Sequence, residues 1–112
     1  PARIGSTRLK MKNLSLIFNK PLIYYSINAA KKSNMFDKIV LNSDHEIFSK
    51  IAKRYNIDFY LRNKKLGNSK VKSDDVVFDF IKNYQSNICC WINPIAPLQS
   101  SEDIVRTIKY FN

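Results

Sequence analysis

Lys38-Ile39-Val40-Leu41-Asn42-Ser43-Asp44-His45-Glu46 is the stretch on which the fold turns. Lys38 to Asn42 reads as a buried strand, because a short apolar run bounded by polar residues fits a strand covered on both faces. Ser43 or Asp44 can cap the helix that follows, in which Ile47, Ile51 and Ala52 fall on one inward stripe. His45, the only histidine, lies in the first turn of that helix and reads as exposed and non-catalytic. Ile57 to Leu61 then supplies a second β run, so strand, helix and strand follow one another without a linker.

The same alternation continues outward in both directions. Upstream, Pro21 is placed to open a helix whose Ile23, Ile27 and Ala30 line one stripe, and Asn34 can end it in left-handed geometry. Downstream, Arg62 to Lys72 is a basic loop, and Ser73 is expected to cap a helix with Val76, Val77, Phe80 and Ile81 inside. Asn87 to Asn93 reads as the last strand; Pro94 and Pro97 bar regular structure after it; Ser101, with Glu102 and Asp103 in the first turn, starts the final helix. Alternation of this kind implies a three-layer, Rossmann-like α/β fold, a parallel sheet with right-handed crossovers and helices on both faces. With no repeat and no low-complexity break, residues 1–112 read as one domain.

In such a sheet ligands bind at the carboxyl ends of the strands. The opening loop, the Arg62 to Lys72 loop and the Asn93 to Ser100 loop all follow strands, so the topology gathers them on one rim. Ala2-Arg3-Ile4-Gly5-Ser6-Thr7-Arg8-Leu9-Lys10-Met11-Lys12-Asn13 is the first of them, and it has the chemistry of an anion holder. Gly5 and Ser6 let backbone N–H groups approach phosphate oxygens, and Arg3, Arg8 and Lys12 can neutralise several negative charges. Neither the Walker nor the dinucleotide fingerprint is present.

The charge balance agrees with anionic partners: 19 Lys and Arg against 9 Asp and Glu give a formal net charge of +10. Tyr24, Tyr25, Phe48, Phe78 and Tyr84 fall on helix faces instead of alternating with the loop cations, so base-stacking platforms are not evident and nucleic acid is not the expected partner. The longest apolar runs are too short to span a bilayer and no charged-then-apolar leader precedes the first helix, which gives the expectation of a cytoplasmic protein without a membrane partner. Cys89 and Cys90 are adjacent, so on a strand they point to opposite faces; with no ligand spacing and no disulfide framework they read as buried strand filler.

The chain resembles the acylneuraminate cytidylyltransferase family. Ala2, Arg3, Ser6, Arg8, Leu9, Lys12, Asn13, Lys20, Pro21, Leu22 and Ile23 match that family's opening pattern. Phe36-Asp37-Lys38-Ile39-Val40, Ser43-Asp44, Leu61-Arg62, Asn93-Pro94, Pro97-Leu98 and Glu102-Asp103-Ile104 match later segments in order. The match spans nearly the whole chain and corresponds to the N-terminal half of a family member. It implies transfer of CMP from CTP to an acidic, sialic-like sugar with release of pyrophosphate. By this resemblance Arg3 and Lys12 are the catalytic positions, and Arg3, Gly5, Ser6, Arg8, Lys12, Asn13, Arg62 and Ser73 bind the nucleotide. Asn93 and Gln99 fall at the sugar, and Mg²⁺ is implied as cofactor with its ligands outside this chain, so no metal ligand is assigned; Asp74, Asp75 and Asp79 read as ordinary helix acids.

Departures from the pattern bear on the second substrate. Asn93-Pro94-Ile95-Ala96-Pro97-Leu98-Gln99 lacks two hydroxyls and a cation of the family loop, which leaves a related acidic or modified sugar open. Ser6-Thr7-Arg8-Leu9 and Asp44-His45-Glu46 also resemble the ketodeoxyoctulosonate cytidylyltransferases, the alternative enzyme reading. An inactive fragment, or a basic nucleic-acid-binding module, is the alternative outside enzymes. Members of the family begin with a central strand before the position of Pro1, so the first strand is expected to be missing, and with it the partner of strands 38–42 and 88–92. Unpaired N–H and C=O groups along such a gap invite strand rearrangement or a homodimer.

Overall fold

A computed structural model describes residues 1–4, 14–67, 70–94 and 100–111. Among the described residues the first regular element is a small hairpin, β1 (Leu16–Ile17) against β2 (Lys20–Pro21), antiparallel with Ile17 opposite Lys20. Its two-residue turn, Phe18-Asn19, has both residues at positive φ, 50° and 66°, the backbone that a two-residue hairpin needs to match strand twist.

The hairpin runs directly into α1 (Leu22–Ser33). Pro21 stands just before the helix at φ −61°, where the missing N–H costs nothing, and Asn34 closes it at φ 58° with its N–H on the Lys31 carbonyl. Ile23, Ile27 and Ala30 are buried as their spacing requires. The parallel sheet follows: β3 (Val40–Ser43) pairs with β4 (Asp58–Leu61), Leu41 opposite Phe59 and Asn42 opposite Tyr60. Between them α2 (Ile47–Arg54) makes the crossover.

Residue alternation along the two strands divides the layers. Leu41 and Phe59 face α1 and α2, where Phe48, fully buried, joins Ile23, Ile27, Ala52 and Ala2 in the core. Tyr60, on the other face, meets α3 (Ser73–Asn83): its ring packs edge-on to Phe80, and its hydroxyl donates to Asp79 at 2.8 Å. Helices therefore cover both faces, as the alternation implies. The last helix, α4 (Ser101–Phe111), lies against α1 and buries Ile104. No helix among the described residues is long and apolar enough to cross a membrane.

The second edge of β3 carries a single parallel rung. Ala2 bridges Ser43, with the Ala2 N–H on the Asn42 carbonyl at 2.8 Å. Successive carbonyls point to opposite edges, so Ser43 sends its own carbonyl the other way, to the Arg62 N–H at 2.8 Å.

Several local expectations are corrected. Residues 87–93 form no ladder among the described residues, and Cys89 and Cys90 are exposed, not buried filler. Strand propensity is local, whereas a strand exists only where a neighbour takes its N–H and C=O groups. Ile81 is 47% exposed and Phe78 more so, since α3 meets the sheet only along its Val76, Phe80 and Tyr84 side. Ser73 is the first helical residue of α3, with Lys72 in the cap position and no side-chain capping bond. α4 does start at Ser101, as expected, and Ser100 caps it: its hydroxyl accepts the Asp103 N–H at 3.1 Å, while the Asp103 carboxylate accepts the Ser100 N–H at 3.3 Å, a reciprocal pair that closes the helix start.

Candidate functional site

The carboxyl ends of β3 and β4 and the end of the Ala2 segment meet on one rim, and two guanidinium groups gather there. Arg62 follows β4 directly. Its backbone N–H extends the ladder onto Ser43, and its side chain lies back over the end of the sheet. There Nη1 donates to the Asn42 carbonyl at 3.2 Å and to Asn42 Oδ1 at 3.0 Å. The residue is 5% exposed, and its Nε has no hydrogen-bond partner among the described residues. A buried guanidinium with an unsatisfied donor is costly, and a site meant to receive an anion is where such a cost recurs.

Burial holds the Arg62 guanidinium below its ordinary pKa, and the nearby Arg3 cation pushes the same way; Asp44 and Asp79 pull it back. Arg62 nonetheless remains protonated at neutral pH, as arginine does in proteins. Two like charges, Arg3 and Arg62, thus lie near the end of the sheet, and an anion there would favour the charged form of Arg62.

Asp44 is the counter-charge on this rim, 8% exposed. It does not cap α2. Its Oδ1 accepts the Ile4 N–H at 3.0 Å, and the Ser43 hydroxyl stands 3.5 Å away. The start of α2 is held by other groups: His45 is exposed, as expected, and its Nδ1 accepts the Ile47 N–H at 3.1 Å, while Ser43 Oγ accepts the His45 N–H at 3.2 Å. Gly67 ends a short 3₁₀ turn (Lys64–Gly67) and lies directly against Asp44.

Of the residues predicted from sequence, the structure brings Arg3 and Arg62 together. Ser73 is the exposed first residue of α3, and no described contact joins it to the rim. Asn93 is exposed on the unladdered stretch after α3. Gly5, Ser6, Arg8, Lys12, Asn13 and Gln99 lie outside the described residues. Asn42, Asp44 and Gly67 are members of the rim that sequence reading missed. The one available signal was Asn42, an amide closing an otherwise apolar strand.

The described residues contain no group of three or more His, Cys, Asp or Glu able to share a cation. Asp44, the rim acid, already accepts a backbone N–H, and Asp79 accepts the Tyr60 hydroxyl. These residues do not make a ligand set for Mg²⁺.

A family model described as cytidylyltransferase matches residues 1–112. The N-acylneuraminate cytidylyltransferase of Escherichia coli O18:K1:H7 is 35% identical over 99% of the chain, which covers 27% of that protein. The pseudaminic acid cytidylyltransferase of Campylobacter jejuni is also 35% identical over 99% of the chain, here covering 50% of the relative. The N-acylneuraminate cytidylyltransferase of Streptococcus agalactiae is 32% identical over the whole chain and 28% of its own length. The chain thus spans half the length, or less, of these relatives. Among solved structures, a CMP:2-keto-3-deoxy-manno-octonic acid synthetase complexed with CTP superposes with a TM-score of 0.87 at 17% identity, over 99% of this chain and 44% of that one. That likeness identifies the fold.

Proposed function

The chain belongs to the cytidylyltransferase family, and from that premise we propose that residues 1–112 form the nucleotide-binding part of an enzyme that transfers CMP from CTP to an acidic sugar. The observation that carries this reading is the convergence of Arg3 and buried Arg62 at the carboxyl end of the sheet. In the reaction a sugar hydroxyl oxygen attacks the α-phosphorus of CTP. One O–P bond forms as the α–β phosphoanhydride breaks, the hydroxyl proton is lost, and pyrophosphate leaves. The protein's work is positioning and charge stabilisation. Arg3 and Lys12 act on the phosphates; Gly5, Ser6 and Arg8 line them; Arg62 adds fixed positive charge behind them. Asn13 and Ser73 face the base and ribose, and Asn93 and Gln99 face the sugar.

Relatives named for acylneuraminate and pseudaminic acid support a nonulosonic sugar as acceptor. Mg²⁺ belongs to this proposal through the family alone; a homodimer, inferred from the expected unpaired strand edges, and a cytoplasmic location belong to it as well. Calorimetry with CTP, UTP, ATP and GTP, and a single-stranded oligonucleotide as competitor, tests the reading. CTP-selective binding is expected; oligonucleotide binding without CTP binding would replace the proposal with a basic nucleic-acid module.

A further inference from the structure

We propose that Asp44 is a positioning residue, a side-chain rung that sets the opening segment against the basic loop and thereby shapes the mouth in which the nucleotide reading, on which this inference rests, places the phosphates.

The argument begins with a ladder that runs out. The Ala2 N–H bonds the Asn42 carbonyl, and the next N–H facing the same edge of β3 belongs to Ile4. Continued as a parallel ladder, it would meet a main-chain carbonyl of β3. By then β3 has ended at Ser43 and the chain is turning toward α2. The Asp44 side chain takes the place of the missing carbonyl, accepting the Ile4 N–H at 3.0 Å in a charge-assisted bond. One carboxylate therefore fixes Ile4 against the end of β3.

The same carboxylate is walled in from the other side. A Cβ built on Gly67 would lie 2.0 Å from Asp44 Oδ2, 2.6 Å from Cγ and 2.8 Å from Cβ. Swinging the carboxylate aside would not clear it, because the Asp44 Cβ is itself too close. Gly67 has no positive φ, so conformation does not demand glycine there; the space beside Asp44 does. Asp44 is thus buried between Ile4 and Gly67 and lies near Arg62, whose charge it offsets. Opening segment, basic loop and buried guanidinium are held to one another through a single side chain.

The test compares the native 112-residue chain with Asp44→Ala, Asp44→Asn, Gly67→Ala and the Asp44→Ala/Gly67→Ala double variant. Two readouts are taken: amide exchange at Ile4 by NMR without nucleotide, and the Kd for CTP. Asp44→Ala is expected to speed Ile4 exchange about tenfold and to weaken CTP binding about 10- to 100-fold, the range for losing a hydrogen bond to a charged group. Asp44→Asn keeps an acceptor of the same shape, so Ile4 protection is retained and the CTP loss is smaller. Gly67→Ala is expected to imitate Asp44→Ala, and in the Asp44→Ala background to add less than its loss in the native background, since the contacts with Oδ2 and Cγ have gone and only the 2.8 Å approach to Cβ remains. Unchanged Ile4 exchange in Asp44→Ala, or losses that multiply in the double variant, would overturn the proposal. A native chain that binds no CTP removes the nucleotide reading instead, while the Ile4 exchange still upholds or refutes the rung.

Discussion

Replacing Arg62 by Met separates two roles that a buried charge combines. The guanidinium is 5% exposed, makes two bonds from Nη1 to Asn42 and leaves Nε without a partner among the described residues. On the stabilising side, bonds from a charged donor contribute about 1.5–3 kcal/mol each, and losing them also leaves the Asn42 acceptors unpaired. Against this stands a desolvation penalty of several kcal/mol for the buried ion, with repulsion from Arg3 in addition. Methionine has similar reach, fills the space, and removes the penalty together with the bonds. The opposing quantities are of equal size, so Arg62→Met should change unfolding stability in urea by less than about 2 kcal/mol. The same substitution withdraws one fixed positive charge from the mouth, and CTP affinity measured by calorimetry should fall about 10- to 100-fold. Stability preserved and affinity lost is the expected pair. A chain that binds CTP as before, or one that loses more than about 3 kcal/mol of stability in step with affinity, would show that Arg62 serves the fold and not the ligand.

Three further substitutions probe the frame. Phe48 is fully buried at the centre of the core, and Phe48→Ala should cost about 3–5 kcal/mol in urea unfolding, enough to leave a small domain largely unfolded. Phe18 holds φ 50° while 92% exposed, so Phe18→Asn should stabilise the chain by about 1 kcal/mol, visible as a raised Tm, because asparagine tolerates left-handed backbone and no buried contact is lost. Asp103 is held below the ordinary carboxylate range, first by the Ser100 N–H and then by the Ser100 hydroxyl and Arg106. A carboxylate whose folded pKa is depressed contributes stability above its unfolded value and loses it as pH falls through the folded one. Helicity followed by circular dichroism should therefore fall less steeply in acid for Asp103→Asn than for the native chain.

Which features could be read in advance follows from which interactions are local. The start, stripe and end of α1 were legible because Pro21, the Ile23/Ile27/Ala30 spacing and Asn34 each act within one or two turns of chain. The β3, α2 and β4 unit was legible for the same reason, its apolar period switching from strand to helix and back. The errors cluster where a residue's role is decided by a distant partner. Ile88 to Ile92 has every strand preference, yet pairing is not a property of the segment that has it, and no described neighbour completes a ladder there. The hairpin at Leu16–Pro21 carries little signal, because Phe18-Asn19 lacks the glycine that usually announces a two-residue turn.

The rim shows the same division most sharply. Arg62 was found because it lies in a basic loop after a strand, but its burial comes from Asn42, 20 residues away, which receives Nη1 twice. Asp44 has the type and position of a helix cap, and a cap is what local chemistry proposes. It bonds Ile4 instead, 40 residues back, because β3 has ended at Ser43 before the Ile4 N–H comes level with it. Gly67 gave no turn signal that needed explaining, since its φ is one that any residue adopts; only the carboxylate beside it makes a side chain intolerable. A site assembled at the carboxyl ends of parallel strands draws each member from a different part of the chain. Sequence order can therefore nominate the charges that line such a site, while the small and acidic residues that hold those charges in register emerge only when the strands are laid side by side.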